Sequence, residues 1–188
     1  MPRAGVTTDG VVDAASAIAN AAGLKAVTLA RLAEALGIRS PSLYKHVDSL
    51  DAIHRALAVR GIREVNARLQ RATIGKSRDE ALFALAHTYW QFAREQPGLY
   101  AASLRAAGPK ENDIAAAGEA LIGTVLAVLA GYGVKGDDAL HATRGLRAII
   151  HGFVSLDAAG GFRLKLNLNE SFDRLLGAFA GDLAERGG

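Results

Sequence analysis

The chain contains no cysteine, one methionine, one tryptophan and four prolines in 188 residues. Without cysteine there is no disulfide, no thiol nucleophile and no Cys-ligated zinc or iron–sulfur centre. Nothing points to an oxidising compartment. The longest uncharged apolar run, residues 120–134, has fifteen residues. That is short of the ~20 needed to cross a bilayer, so no membrane partner is expected. Residues 1–10 hold one Arg and no apolar segment, unlike a signal peptide. The expectation is a soluble cytoplasmic protein. Also missing are a nucleophile with a base, a carboxylate pair, HExxH and a phosphate loop. The glycine-rich residues 131–136 lack the GxxxxGK[ST] pattern and read as a loop. No enzyme, no metal and no cofactor is expected.

Half the residues are hydrophobic and 22% are charged, a globular balance. Residues 1–75 carry 10 Lys and Arg against 6 Asp and Glu, and residues 76–188 carry 12 against 13. A polyanion therefore prefers the first part. Apolar residues recur at helical spacing nearly throughout, punctuated by Gly and Pro. The reading is all-α, about nine helices over residues 11–22, 29–36, 40–46, 49–71, 78–95, 99–107, 111–130, 137–159 and 170–185. Residues 162–168 alternate like a strand but have no partner and read as a loop. Two parts are expected: a three-helix helix-turn-helix domain in residues 1–50 and a larger helical bundle in residues 51–188.

Residues 28–47 read TLARLAEALGIRSPSLYKHV. Thr28 can cap the first helix and Gly37 can end it with a positive φ. Ala33 is small enough for a close crossing, and Ile38, Leu43 and Val47 supply the apolar contacts. Arg39, Ser40, Pro41, Ser42, Tyr44, Lys45 and His46 face outward with many donors and no acid. Arg and Lys pair with guanine or phosphate; Ser and Tyr donate to phosphate. The same pattern also fits an ordinary helical hairpin with a polar face.

Residues 8–58, and above all LGIRSPSLYKHV, resemble the DNA-binding domain of the TetR family of transcriptional repressors. The resemblance implies that Ser40, Pro41, Ser42 and Lys45 face bases, while Thr28, Tyr44 and His46 face phosphates. Leu50 stands where the family commonly has a Lys near the start of the next helix; Lys25, Arg31 and Arg39 are the available compensation. AHTYWQFAREQPGLYAA and IIHGFVSLDAAGGF resemble the subgroup with a WHG-type C-terminal domain, with Ile150 before His151-Gly152 in place of the eponymous Trp.

In the C-terminal part, Phe83, His87, Trp90, Leu126, His141 and Arg144 are the candidate ligand-pocket residues, Phe83 and Phe92 leaning toward core. Gly145, Gly152, Phe172, Leu176, Phe179 and Leu183 are the candidate dimer interface, a small-residue helix against an apolar one. The expected function is sequence-specific DNA binding: a homodimeric repressor on a palindromic double-stranded operator, released by a small hydrophobic or aromatic effector. The alternatives are a constitutive DNA-binding regulator and a helical enzyme or carrier.

Overall fold

The computed structural model describes residues 6–187. Among the described residues the regular structure is nine α-helices and one 3-10 turn, with no strand. The first helix, α1 (Thr8–Ala22), starts ahead of its first buried residue, Val11, because the Thr7 side chain accepts the Gly10 N–H. After the 3-10 turn at Leu24–Ala26 comes α2 (Leu29–Leu36), capped by Thr28 accepting from the Arg31 N–H at 3.3 Å. Gly37 ends it in the left-handed region at φ 65°, a conformation most residues resist. Next is α3 (Ser40–Leu43), with Pro41 in its first turn. Its expected length to His46 is cut to four residues, and hydrogen-bonded turns from His46 and Val47 back to the Leu43 carbonyl continue it.

Ser49 accepts the Ala52 N–H at 3.0 Å and opens α4 (Leu50–Thr73). Two further helices follow, α5 (Arg78–Glu95) and α6 (Pro97–Ser103). The expected helix over 78–95 ends where α5 does, and the next, expected from Leu99, starts two residues earlier at Pro97, since a first-turn Pro loses no hydrogen bond. The remaining helices are α7 (Asn112–Ala130), α8 (Gly136–Ala158) and α9 (Leu168–Gly187). By length and composition α7 is apolar enough to cross a membrane, which the shorter run counted in the sequence did not suggest. Only 22% of that apolar window is buried within the chain, so a face of α7 is open to other molecules.

The chain packs as two compact units. The first runs through α1 to α3 and along α4 to Glu64, then takes up Glu95–Ala117; the second comprises Val65–Arg94 and the chain from Gly118 onward. The expected division after residue 50 falls where α4 begins, whereas the first packing unit continues along α4 and adds α6. Backbone contact explains the addition. The Asn20 side-chain oxygen accepts the N–H groups of Gly98 and Leu99 at 2.9 and 3.2 Å, and its amide donates to Gln96. Two ionic groups fasten the same unit: Arg105 to Asp51 and Glu111, and Arg55 to Asp113 at 2.7 Å. Hydrogen bonds from Arg105 and Arg55 hold the Asp51 and Asp113 carboxyls below the usual carboxylate range.

The second unit is organised by rings. Trp90, Phe153 and Phe172 pack with centroids 4.6 to 5.2 Å apart, two of the three contacts edge to face. Such pairs add about 0.5–1.5 kcal/mol each beyond burial. Tyr132 donates to Asp79 at 2.7 Å, and burial with this bond pushes its hydroxyl pKa up.

Candidate nucleic-acid interface and ligand region

The outward face of residues 37–47 is fixed from behind. Leu43 is fully buried, Ile38 and Val47 are half-buried, and the Thr8 hydroxyl donates to the His46 carbonyl at 3.0 Å. Tyr44, 57% exposed, then stands outward with the exposed Arg39, Pro41 and Lys45. Ser40, Ser42 and His46 are half-buried along the same segment. Thr28 sits at the start of α2, where its oxygen is occupied by the Arg31 N–H. Arg31 and Lys25 are exposed in the same unit. This gives an exposed patch with cations, hydroxyls and an aromatic phenol, and no carboxylate in residues 37–47. Its chemistry suits phosphate oxygens and base-edge acceptors.

The six ligand-pocket candidates of the second unit are distributed differently. Trp90 is 4% exposed and donates its indole N–H to Asp157 at 2.8 Å, so it is a core residue. His87 pairs with Asp173 and touches the Phe172 ring edge on. Phe83 and Leu126 are half-buried, while His141 and Arg144 lie at exposed positions of α8. The polar tips expected to meet a ligand are thus engaged by carboxylates or turned to solvent. His151 packs edge to face on Tyr89 at 5.5 Å. Burial, with repulsion from Arg147, brings its pKa down to about 4, so it is neutral at physiological pH.

A cleft of about 590 Å³ opens elsewhere in this unit, on the last turn of α4, the start of α5 and the outer face of α7. None of the six candidates lines it. The sequence carried a signal for it: Ala120, Gly123 and Ala127, with Gly131 just past the helix, recur at helical spacing and give α7 a row of small residues.

The dimer candidates also divide. Phe172, Leu176 and Leu183 are fully buried inside the chain and are core rather than interface. Gly145 faces Phe179, with 3.4 Å from an ideal Cβ to the ring, and both are half-buried. Gly152 is exposed. The apolar surface left open lies one face over: Ala148, Gly152 and Leu156 on α8, Leu175 and Ala178 on α9.

A family model described as the tetracyclin repressor-like C-terminal domain matches residues 82–179. The chain is 37% identical over 182 residues to the HTH-type transcriptional regulator YobS of Bacillus subtilis, itself uncharacterized, covering 97% of this chain and 95% of that one. In fold it is similar to a protein of unknown function from Rhodococcus sp. RHA1, with a TM-score of 0.83 and 24% identity over 97% of this chain and 98% of that one. It is also similar to the TetR family transcriptional regulator PfmR from Thermus thermophilus, with a TM-score of 0.67 and 18% identity over 94% and 97% of the two chains.

Proposed function

Since this chain belongs to the TetR family of helix-turn-helix transcriptional regulators, we propose that it is a homodimeric repressor that holds a palindromic operator and leaves it when a small apolar or aromatic ligand binds the second unit. The chain is a DNA-binding regulator and not an enzyme. What supports the reading most is the acid-free, cation-bearing outer face of residues 37–47, braced by Leu43 and by the Thr8–His46 bond. In this reading Ser40, Pro41, Ser42 and Lys45 meet base edges, and Thr28, Arg39, Tyr44 and His46 meet phosphate.

One such segment touches only a few base pairs, and a two-fold dimer doubles the site into a palindrome. We place the dimer contact on the open face of α8 and α9, where Gly152 allows close approach and Leu156 and Leu175 are 51% and 41% exposed. The ligand acts through α4, a single helix of 24 residues that begins just after the DNA-facing segment and ends in the second unit. A ligand that favours one setting of α4 disfavours DNA by the same factor that DNA disfavours the ligand. The engagement of His87 by Asp173 and of Trp90 by Asp157 favours the rival reading, a regulator without an effector. A mobility-shift titration on the DNA upstream of its own gene tests the core claim. Sequence-specific retardation that weakens steeply with salt is expected; retardation equal on scrambled DNA refutes it. Thermal-shift screening of small apolar compounds separates the two readings.

A further inference from the structure

The cleft beside α7 is a built feature of the second unit. Its lining includes Ala120, Gly123 and Ala127 of α7, and Ile74 and Lys76 in the connection between α4 and α5. One wall is polar and organised: Thr124 donates to Asn66 at 2.7 Å, and the Gln70 amide donates to Thr124 at 3.3 Å. Asn66 is the buried polar residue of the core among the described residues, at 8% exposure. Placing an amide there is costly unless it is bonded, and here the bonds lead outward to the cleft wall. Gln70 and Thr124 both line the cleft, and the side-chain carbonyl oxygen of Gln70, Oε1, makes no hydrogen bond among the described residues. Lys76 forms no ion pair among the described residues and is the cation of the lining. The volume, about 590 Å³, is that of a small-molecule site.

We propose that this cleft binds a small amphipathic anion, an aryl or alkyl group carrying a carboxylate or sulfonate, and that it is the effector site of the regulator; its role as effector site rests on the ligand-release reading above. The apolar body lies on the small-residue stripe of α7 beside Ile74. The acidic group meets Lys76, and a polar edge meets Gln70 and Thr124. A ligand so placed grips the last turn of α4 through Gln70 and Thr73.

The probe is anilinonaphthalene sulfonate, an aromatic anion that brightens in apolar sites. An ideal Cβ at Gly123 meets nothing within 4 Å, so Gly123→Leu adds a side chain on the cleft lining with no clash at its Cβ. A thermal melt verifies that the variant is folded. Saturable binding to the full chain is expected, weakened about tenfold or more by Gly123→Leu, since a ~1.4 kcal/mol loss is tenfold. Lys76→Gln should weaken it ~3-fold and remove most of its salt dependence, as for one partly screened charge. Binding that both variants leave unchanged overturns the site and assigns the dye to the exposed faces of α8 and α9. The operator assay separates the two claims. Release of DNA by the dye in wild type but not in Gly123→Leu supports both. Cleft binding without release keeps the site and overturns ligand release through it; release that persists in Gly123→Leu overturns the site alone.

Discussion

A Cβ placed on Gly98 would stand 2.2 Å from the carbonyl carbon of Ala19, so α6 and α1 meet backbone to backbone. A Cβ placed on Gly61 of α4 would likewise stand 2.4 Å from the Leu99 carbonyl oxygen of α6. Backbone atoms cannot swing aside as a side chain can. Gly98→Ala must therefore part the two helices and stretch the bonds from Gly98 and Leu99 to Asn20. The expected cost is about 1–3 kcal/mol, a fall of roughly 3–10 °C in the thermal midpoint. A melt followed by helical circular dichroism checks it, and an unchanged midpoint would show that the helices do not touch there.

The exposed phenol of Tyr44 gives the cleanest separation of binding from folding. Tyr44→Ala removes a side chain that the core does not use. Operator affinity should fall by about 1–3 kcal/mol while the melting temperature holds. Lys45→Ala should weaken specific and non-specific DNA alike and lower the salt slope by about one. Equal loss of stability and affinity in Tyr44→Ala would contradict the assignment.

Two substitutions in the last helices distinguish core from interface. Leu175→Glu places a charge on the open face of α9 and should yield folded monomers with weak operator binding. Leu176→Glu, one residue on, buries a charge in the second unit and should prevent folding altogether. Sedimentation of each purified variant decides. A wild type that is monomeric at micromolar concentration, or a dimeric Leu175→Glu, would exclude this face.

Acid should weaken the fold in two stages. His151 titrates near 6.5 when unfolded and at about 4 when folded. Between those values the unfolded chain binds the additional proton, so stability is full above about pH 6.5 and declines as pH falls toward about 4. The loss should be about 1–2 kcal/mol, below what the whole shift implies because the ring is partly exposed. Further down, Asp51 and Asp113 have folded pKa values lowered by their arginines, and their contribution disappears as pH falls through those values, below 3.8. Denaturant titrations across pH should show the upper stage vanish in His151→Phe, with the lower stage intact. A wild type equally stable at pH 7 and pH 4.5 would refute the first stage.

The elements legible in the sequence are those whose signals are local. Thr28, Gly37 and the apolar spacing of residues 29–36 place α2 to the residue, and periodicity with Pro97-Gly98 beyond it places α5. The start of α6 is read two residues late, at Leu99, because Pro can follow a helix or stand in the first turn of the next, and only the Asn20 cap from a distant helix decides. The exposure of Arg39, Tyr44 and Lys45 is readable because it follows from a motif. The cleft is not, because the expectation looked for large side chains: Trp90 and His87 are engaged by Asp157 and Asp173, while small residues of α7 help to line the cleft. Likewise the periodicity of α9 identifies an apolar face without saying whether it turns to its own chain. Phe172, Leu176 and Leu183 do turn to it.

The regular part of α3, the helix proposed to face DNA, is four residues long. One turn fixes several dihedrals for a single bond and does not hold itself in water. Its order is borrowed from Leu43 in the core, from the fixed φ of Pro41 and from the Thr8 hydroxyl on the His46 carbonyl. The measured operator affinity is then the intrinsic affinity of the formed turn multiplied by the fraction of time the turn is formed. In the proposed reading, sequence changes that never approach DNA, at Thr8 or behind Leu43, therefore set the operator affinity as directly as changes at Tyr44 or Lys45.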